Sequence, residues 1–121
     1  MSLAATRAAE QMAAAPQDLS PHKVIALLLD GALERIGQAK QSLKAGNAQE
    51  FDILLLKTVG IVNGLRASLD FEQGGDIATN LDAVYDYVGA KLMEKKNEDA
   101  LEEAQKLLAE IKQGWDAIEP A

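Results

Sequence analysis

Leu69-Asp70-Phe71-Glu72-Gln73-Gly74-Gly75-Asp76-Ile77-Ala78-Thr79-Asn80-Leu81, followed by Tyr85-Asp86-Tyr87, decides how this chain is read. It contains a helix end, a glycine turn and the start of a new amphipathic helix. Two adjacent glycines between helical patterns mark a left-handed backbone position. Asp76 is placed to cap the new helix, and its apolar face is expected to be Ile77, Leu81, Val84, Val88 and Leu92.

The same spacing runs through the rest of the chain. Ser20 is an N-cap with Pro21 at the first helical position, where the missing N–H is not needed. Ile25, Leu28, Leu29, Ala32, Ile36, Ala39 and Leu43 then recur every three or four residues, and Gly46-Asn47 stops the helix. A second helix carries Phe51, Leu54, Leu55, Thr58, Val62, Leu65 and Leu69 and ends before Gly74-Gly75. Asn97 caps the last helix, with Glu98 and Asp99 in its first turn and a stripe at Leu101, Ala104, Leu108, Ile111, Trp115 and Ile118. Short connections between four such helices predict an all-α, antiparallel up-and-down four-helix bundle over residues 18–119. Residues 1–17 are expected to be a flexible or weakly helical, loosely docked segment. Their small alanine-rich stripe suits a weak cover over the bundle groove, one that competes with a ligand.

A chain of 121 residues is one domain's worth. The 12 basic against 19 acidic residues give a net charge of −7, which argues against nucleic acid or an anionic membrane as partner. There is no cysteine, so disulfides and thiolate metal sites are excluded. No apolar run approaches a membrane span, and residues 1–17 lack the features of a signal peptide. The expected location is the cytoplasm.

The chain is more apolar than a bundle core requires. Ile53, Leu56, Gly60 and Ala67 sit off the core stripe of the second helix at 100° per residue, as do Val24 and Leu27 on the first. One reading is that these helices are simply more central. The other is a docking groove for a partner helix. Glycines inside helices cost up to about 1 kcal/mol relative to alanine. Gly60 and Gly64 are the best candidates for shallow depressions that admit another helix. Tyr87, near Asn80 on the flank of the third helix, is either a boundary residue or a groove wall with a hydrogen-bonding hydroxyl.

Catalytic chemistry finds no support. His22 is the single histidine, in the first turn of its helix between Pro21 and Lys23, whereas a phosphotransfer bundle presents its histidine in mid-helix. A structural role for His22 is the better reading, with a phosphate relay through it as the alternative. Asp82 and Asp86 are spaced i,i+4 but lack the Glu-x-x-His partners of a di-iron bundle, so a solvated acidic face is expected. Glu102 and Lys106 read as a helix-surface pair. No metal or cofactor is expected.

Ser20-Pro21-His22-Lys23-Val24-Ile25, Asp30-Gly31-Ala32-Leu33, the Leu69–Tyr87 stretch and Trp115-Asp116-Ala117-Ile118 fall in an order that resembles the flagellin export chaperones of bacteria, the FliS family. The resemblance runs from Ser20 to Ile118. It implies a non-enzymatic chaperone that binds the C-terminal segment of flagellin, prevents premature polymerisation and aids delivery to the flagellar type III secretion apparatus. It implies contact with the export gate as a further partner, and a homodimer is compatible with it. With the off-face residues above, it points to Val24, Leu27, Ile53, Leu56, Gly60, Gly64, Ala67, Asn80 and Tyr87 as the partner-binding set. A purely structural helical oligomer is a third reading. One departure lies in residues 1–19, which hold no aromatic where the family usually carries tyrosine.

Overall fold

In the computed structural model, which describes residues 20–94 and 97–118, the chain forms four helices. They are α1 (Pro21–Ala45), α2 (Ala48–Ala67), α3 (Phe71–Leu92) and α4 (Glu98–Ala117). The expectations for residues 1–17 fall outside the described residues.

The ends of α1 and α4 follow from their caps. Ser20 Oγ accepts from Lys23 N at 3.2 Å, and Pro21 opens α1. At its far end Gly46 takes φ +75° and donates to the Leu43 carbonyl, while Asn47 N donates to the Ser42 carbonyl, the paired closure of a Schellman turn. Asn47 then caps α2 through Glu50 N, and Asn97 caps α4 through Ala100 N. A single two-residue turn between α1 and α2 makes them antiparallel.

The helices close into a square. α1 packs on α2 and α4, and α3 packs on α2 and α4, so α1 and α3 lie on a diagonal. Along α1 and α4, Lys44 meets Glu98, Lys40 meets Glu102, Asp30 meets Lys112 and His22 meets Trp115, an order that runs in opposite directions on the two helices. The core is aliphatic around one aromatic at each end: Phe51 at one and Tyr85 at the other, with Leu29, Ile36, Val62, Leu65, Val88, Leu92, Leu101 and Leu108 between. Thr58 is fully buried, and its hydroxyl donates to the Leu54 carbonyl at 2.8 Å, which satisfies it within its own helix.

The structure corrects the expected start of the third helix. Asp70, not Asp76, is the cap; its Oδ1 accepts from Glu72 N and Gln73 N at 3.1 Å each. A first turn follows, and the helix kinks at Gly75, with φ +50° and ψ −125°. The left-handed glycine is therefore present, but it lies inside α3. Gly74 is needed for space: a Cβ there would stand 2.9 Å from Ala78 Cβ. α2 correspondingly ends at Ala67, and Leu69 lies half-buried in the linker.

The core face of α3 is also shifted. Ile77 is 71% exposed, while Ala78 and Tyr85 are buried with Val88 and Leu92. The stripe runs 78, 81, 85, 88, 92, with spacings of three and four, and Ile77 sits one residue off it. Ile118 lies beyond the end of α4 and is exposed.

Candidate apolar docking surfaces

Two apolar surfaces stand out. The first is the outer side of α2. There Leu56 is 70% and Ile53 47% exposed, and Gly60, Gly64 and Ala67 on the same side are exposed as well. A Cβ added at Gly60 or Gly64 meets nothing within 4 Å, so neither glycine is explained by close helix packing. Gly31 differs, because a Cβ there would lie 3.7 Å from Ile61. That contact levels Gly31 with Ile61 on the antiparallel pair and sets Leu27 and Val24 beside the last turn of α2. Both are half-buried, a correction to the outward position their wheel angle suggests.

The second surface was not legible from spacing. It is a cleft of about 250 Å³ at the end of the bundle where α1 begins, α2 ends, α3 begins and α4 ends. Ile25, Leu65, Leu69, Ile77, Ala78, Leu81, Tyr85 and Trp115 line it, with Ser68, Asp70 and Gly74 at its edge. Phe71, also half exposed, extends the apolar surface next to it along the chain. Leu69, Asp70, Gly74, Ile77, Ala78, Leu81 and Tyr85 lie in and after the glycine turn, but Ile25, Leu65 and Trp115 come from three other helices that periodicity cannot bring to it.

Asn80 and Tyr87 do not join either surface. Both are exposed on the side of α3 that faces α4, across the bundle from the α1–α2 pair. The Tyr87 hydroxyl donates to Glu103, and Lys91 Nζ lies 5.4 Å from the ring centroid. The hydrogen bond to Glu103 pushes the Tyr87 phenol above its ordinary value. The sequence-derived set is thus two groups: Val24, Leu27, Ile53, Leu56, Gly60, Gly64 and Ala67 on the α1–α2 side, and Asn80 with Tyr87 on the α3–α4 side.

Charged residues latch the helix pairs. Asp82 and Asp86 bracket Arg66 of α2, at 2.8 and 3.2 Å; Asp86 stays 73% exposed, as a solvated acidic face would have it, while Asp82 is half-buried against the guanidinium. The Asp82 hydrogen bond, with both carboxylates' charge, raises the guanidinium's already high pKa further. Glu102 turns to Lys40 of α1 at 3.6 Å instead of Lys106, because the neighbouring helix offers a closer cation than its own next turn does. Pairs this exposed add little stability; they join helices that the apolar core already makes neighbours.

His22 is half-buried and tied to the end of α4. Its Nε2 donates to the Trp115 carbonyl at 2.9 Å, and Trp115 Nε1 donates to the His22 carbonyl at 2.9 Å. A carbonyl can only accept, so Nε2 carries the proton. The two rings stack with centroids 4.8 Å apart and planes 11° from parallel. No group of three or more metal-ligating side chains occurs among the described residues. No described helix is long and apolar enough to cross a membrane.

Comparison with known proteins agrees with the resemblance. The family model described as "Flagellar protein FliS" matches residues 3–121. The flagellar secretion chaperone FliSB of Pseudomonas aeruginosa is 43% identical over 104 residues, covering 84% of this chain and 82% of that protein. The flagellar secretion chaperones FliS of Salmonella typhimurium and Vibrio cholerae are 39% and 38% identical; each alignment covers 84% of this chain, and 78% and 76% of the respective relatives. With its four-helix bundle and a match over nearly its whole length, the chain belongs to the FliS family of flagellar secretion chaperones.

Proposed function

We propose that this chain is a cytoplasmic export chaperone that binds the C-terminal segment of flagellin, keeps it from polymerising and hands it to the flagellar type III secretion apparatus. The observation that carries this reading is the apolar surface left over once the core is built, above all the outward Leu56 and Ile53 beside two unfilled glycine positions. A segment that is disordered until assembly carries amphipathic stripes that would otherwise pair with one another. Ordering it as helix against α2, and burying an anchor in the end cleft, removes those stripes from solution. Asn80 and Tyr87 then serve as a separate contact strip, and the export gate is a further partner.

Such a chaperone acts by stoichiometric binding and is not an enzyme. The geometry of His22 stands against a phosphate relay, since its Nε2 is committed to a backbone carbonyl and its ring is stacked. The test is filament formation by purified flagellin with increasing amounts of this chain, read by sedimentation. Equimolar chain should hold flagellin in the supernatant. Unchanged pelleting at molar excess would refute the proposal.

A further inference from the structure

We infer that His22 and Trp115 form a clasp that shapes the end cleft for its ligand, with His22 a positioning residue acting through Trp115. The inference rests on the reading that the cleft receives part of a flagellin segment. Trp115 is the one tryptophan of the chain and His22 the one histidine. Two reciprocal hydrogen bonds of 2.9 Å and a near-parallel stack hold the indole at both its polar atom and its face. An indole that only filled space would not need the other helix for each of these.

The position of the clasp gives it a consequence. Trp115 lines the cleft, and so does Ile25, one turn along α1 from His22. The clasp therefore fixes the wall that α1 and α4 contribute. The opposite wall, from α2 and α3, is latched by Arg66 between Asp82 and Asp86. The Trp115 carbonyl is also one of the last four of α4, which have no partner further along their own helix unless the chain turns back. Ile118 N reaches it at 3.1 Å and His22 supplies a second donor. Removing the His22 side chain takes away the stack and the second donor to the Trp115 carbonyl but leaves the backbone carbonyl that Trp115 Nε1 uses, so the indole keeps one anchor of three and must be partly reordered when a ligand enters. The ordering cost of one large side chain corresponds to roughly a two- to tenfold loss of affinity.

The experiment uses the full chain and a synthetic peptide of the flagellin C-terminal segment. His22→Ala, His22→Gln and Ser20→Ala are compared with wild type by peptide titration, near-ultraviolet circular dichroism and thermal melting. His22→Ala should weaken the Trp115 dichroism bands and bind about two- to tenfold more weakly at a temperature far below its melting point. His22→Gln, which keeps a donor within reach of the Trp115 carbonyl, should recover part of the affinity. Ser20→Ala removes the neighbouring cap without touching the clasp, so it should lower the melting point and leave affinity unchanged. Equal binding by His22→Ala and wild type overturns the inference alone, as does an equal loss in Ser20→Ala. Wild-type chain that does not bind the peptide overturns the functional reading and the inference with it.

Discussion

Leu56→Asp separates the surface of α2 from its core. Leu56 is 70% exposed, while its neighbours Leu54, Leu55 and Thr58 are buried. Full burial of a leucine side chain is worth roughly 1.5–3 kcal/mol, so covering the 70% now in water is worth about 1–2 kcal/mol. Removing it should weaken flagellin-peptide binding by roughly 6- to 30-fold, and an unpaired carboxylate in the interface adds to the loss. In the free protein the change touches no core contact, so stability should move by no more than about 0.5 kcal/mol. Titration calorimetry with the peptide gives the first quantity, and urea unfolding followed by circular dichroism the second. Unchanged affinity would refute the docking surface. A marked loss of stability would refute the placement of Leu56 outside the core.

Two further outcomes follow from the α3 geometry. Gly75→Val forces a β-branched residue into φ +50°, a strain of about 1–3 kcal/mol even though a Cβ there meets no neighbour; urea unfolding should show that loss, and an unchanged midpoint would mean the kink is absent. Burial pushes the Tyr85 phenol above its ordinary value of 10.0, so the unfolded chain ionises first and stability should fall as pH rises past about 10. Tyr85→Phe should flatten that alkaline fall, read from melting temperatures across the pH range; an identical profile would place Tyr85 in solvent.

Much of the bundle was legible because caps and periodicity are local. Ser20-Pro21, Gly46-Asn47 and Asn97 each contain the chemistry of their own helix end, and the structure uses them so. The outward position of Ile53 and Leu56 follows from angle alone. The start of α3 was misread because Asp70 and Asp76 are both competent caps, and the choice depends on packing. Here Gly75 takes the φ of +50° at which the helix kinks, and the missing Cβ at Gly74 leaves room for Ala78 across the kink. That choice moved the core face from Ile77 to Ala78 and Tyr85. The cleft as a whole was not legible, since it joins the glycine-turn stretch to residues as distant in sequence as Ile25, Leu65 and Trp115. Pairings between helices, such as Arg66 with Asp82 and Lys40 with Glu102, escape a reading of single helices for the same reason.

The most direct test of the account is calorimetric titration of the full chain with the flagellin C-terminal peptide at several temperatures. The account predicts one-to-one binding with a negative heat-capacity change, the mark of apolar surface leaving water, and weaker binding to Leu56→Asp. No binding, or binding that Leu56→Asp leaves intact with no heat-capacity change, would contradict it.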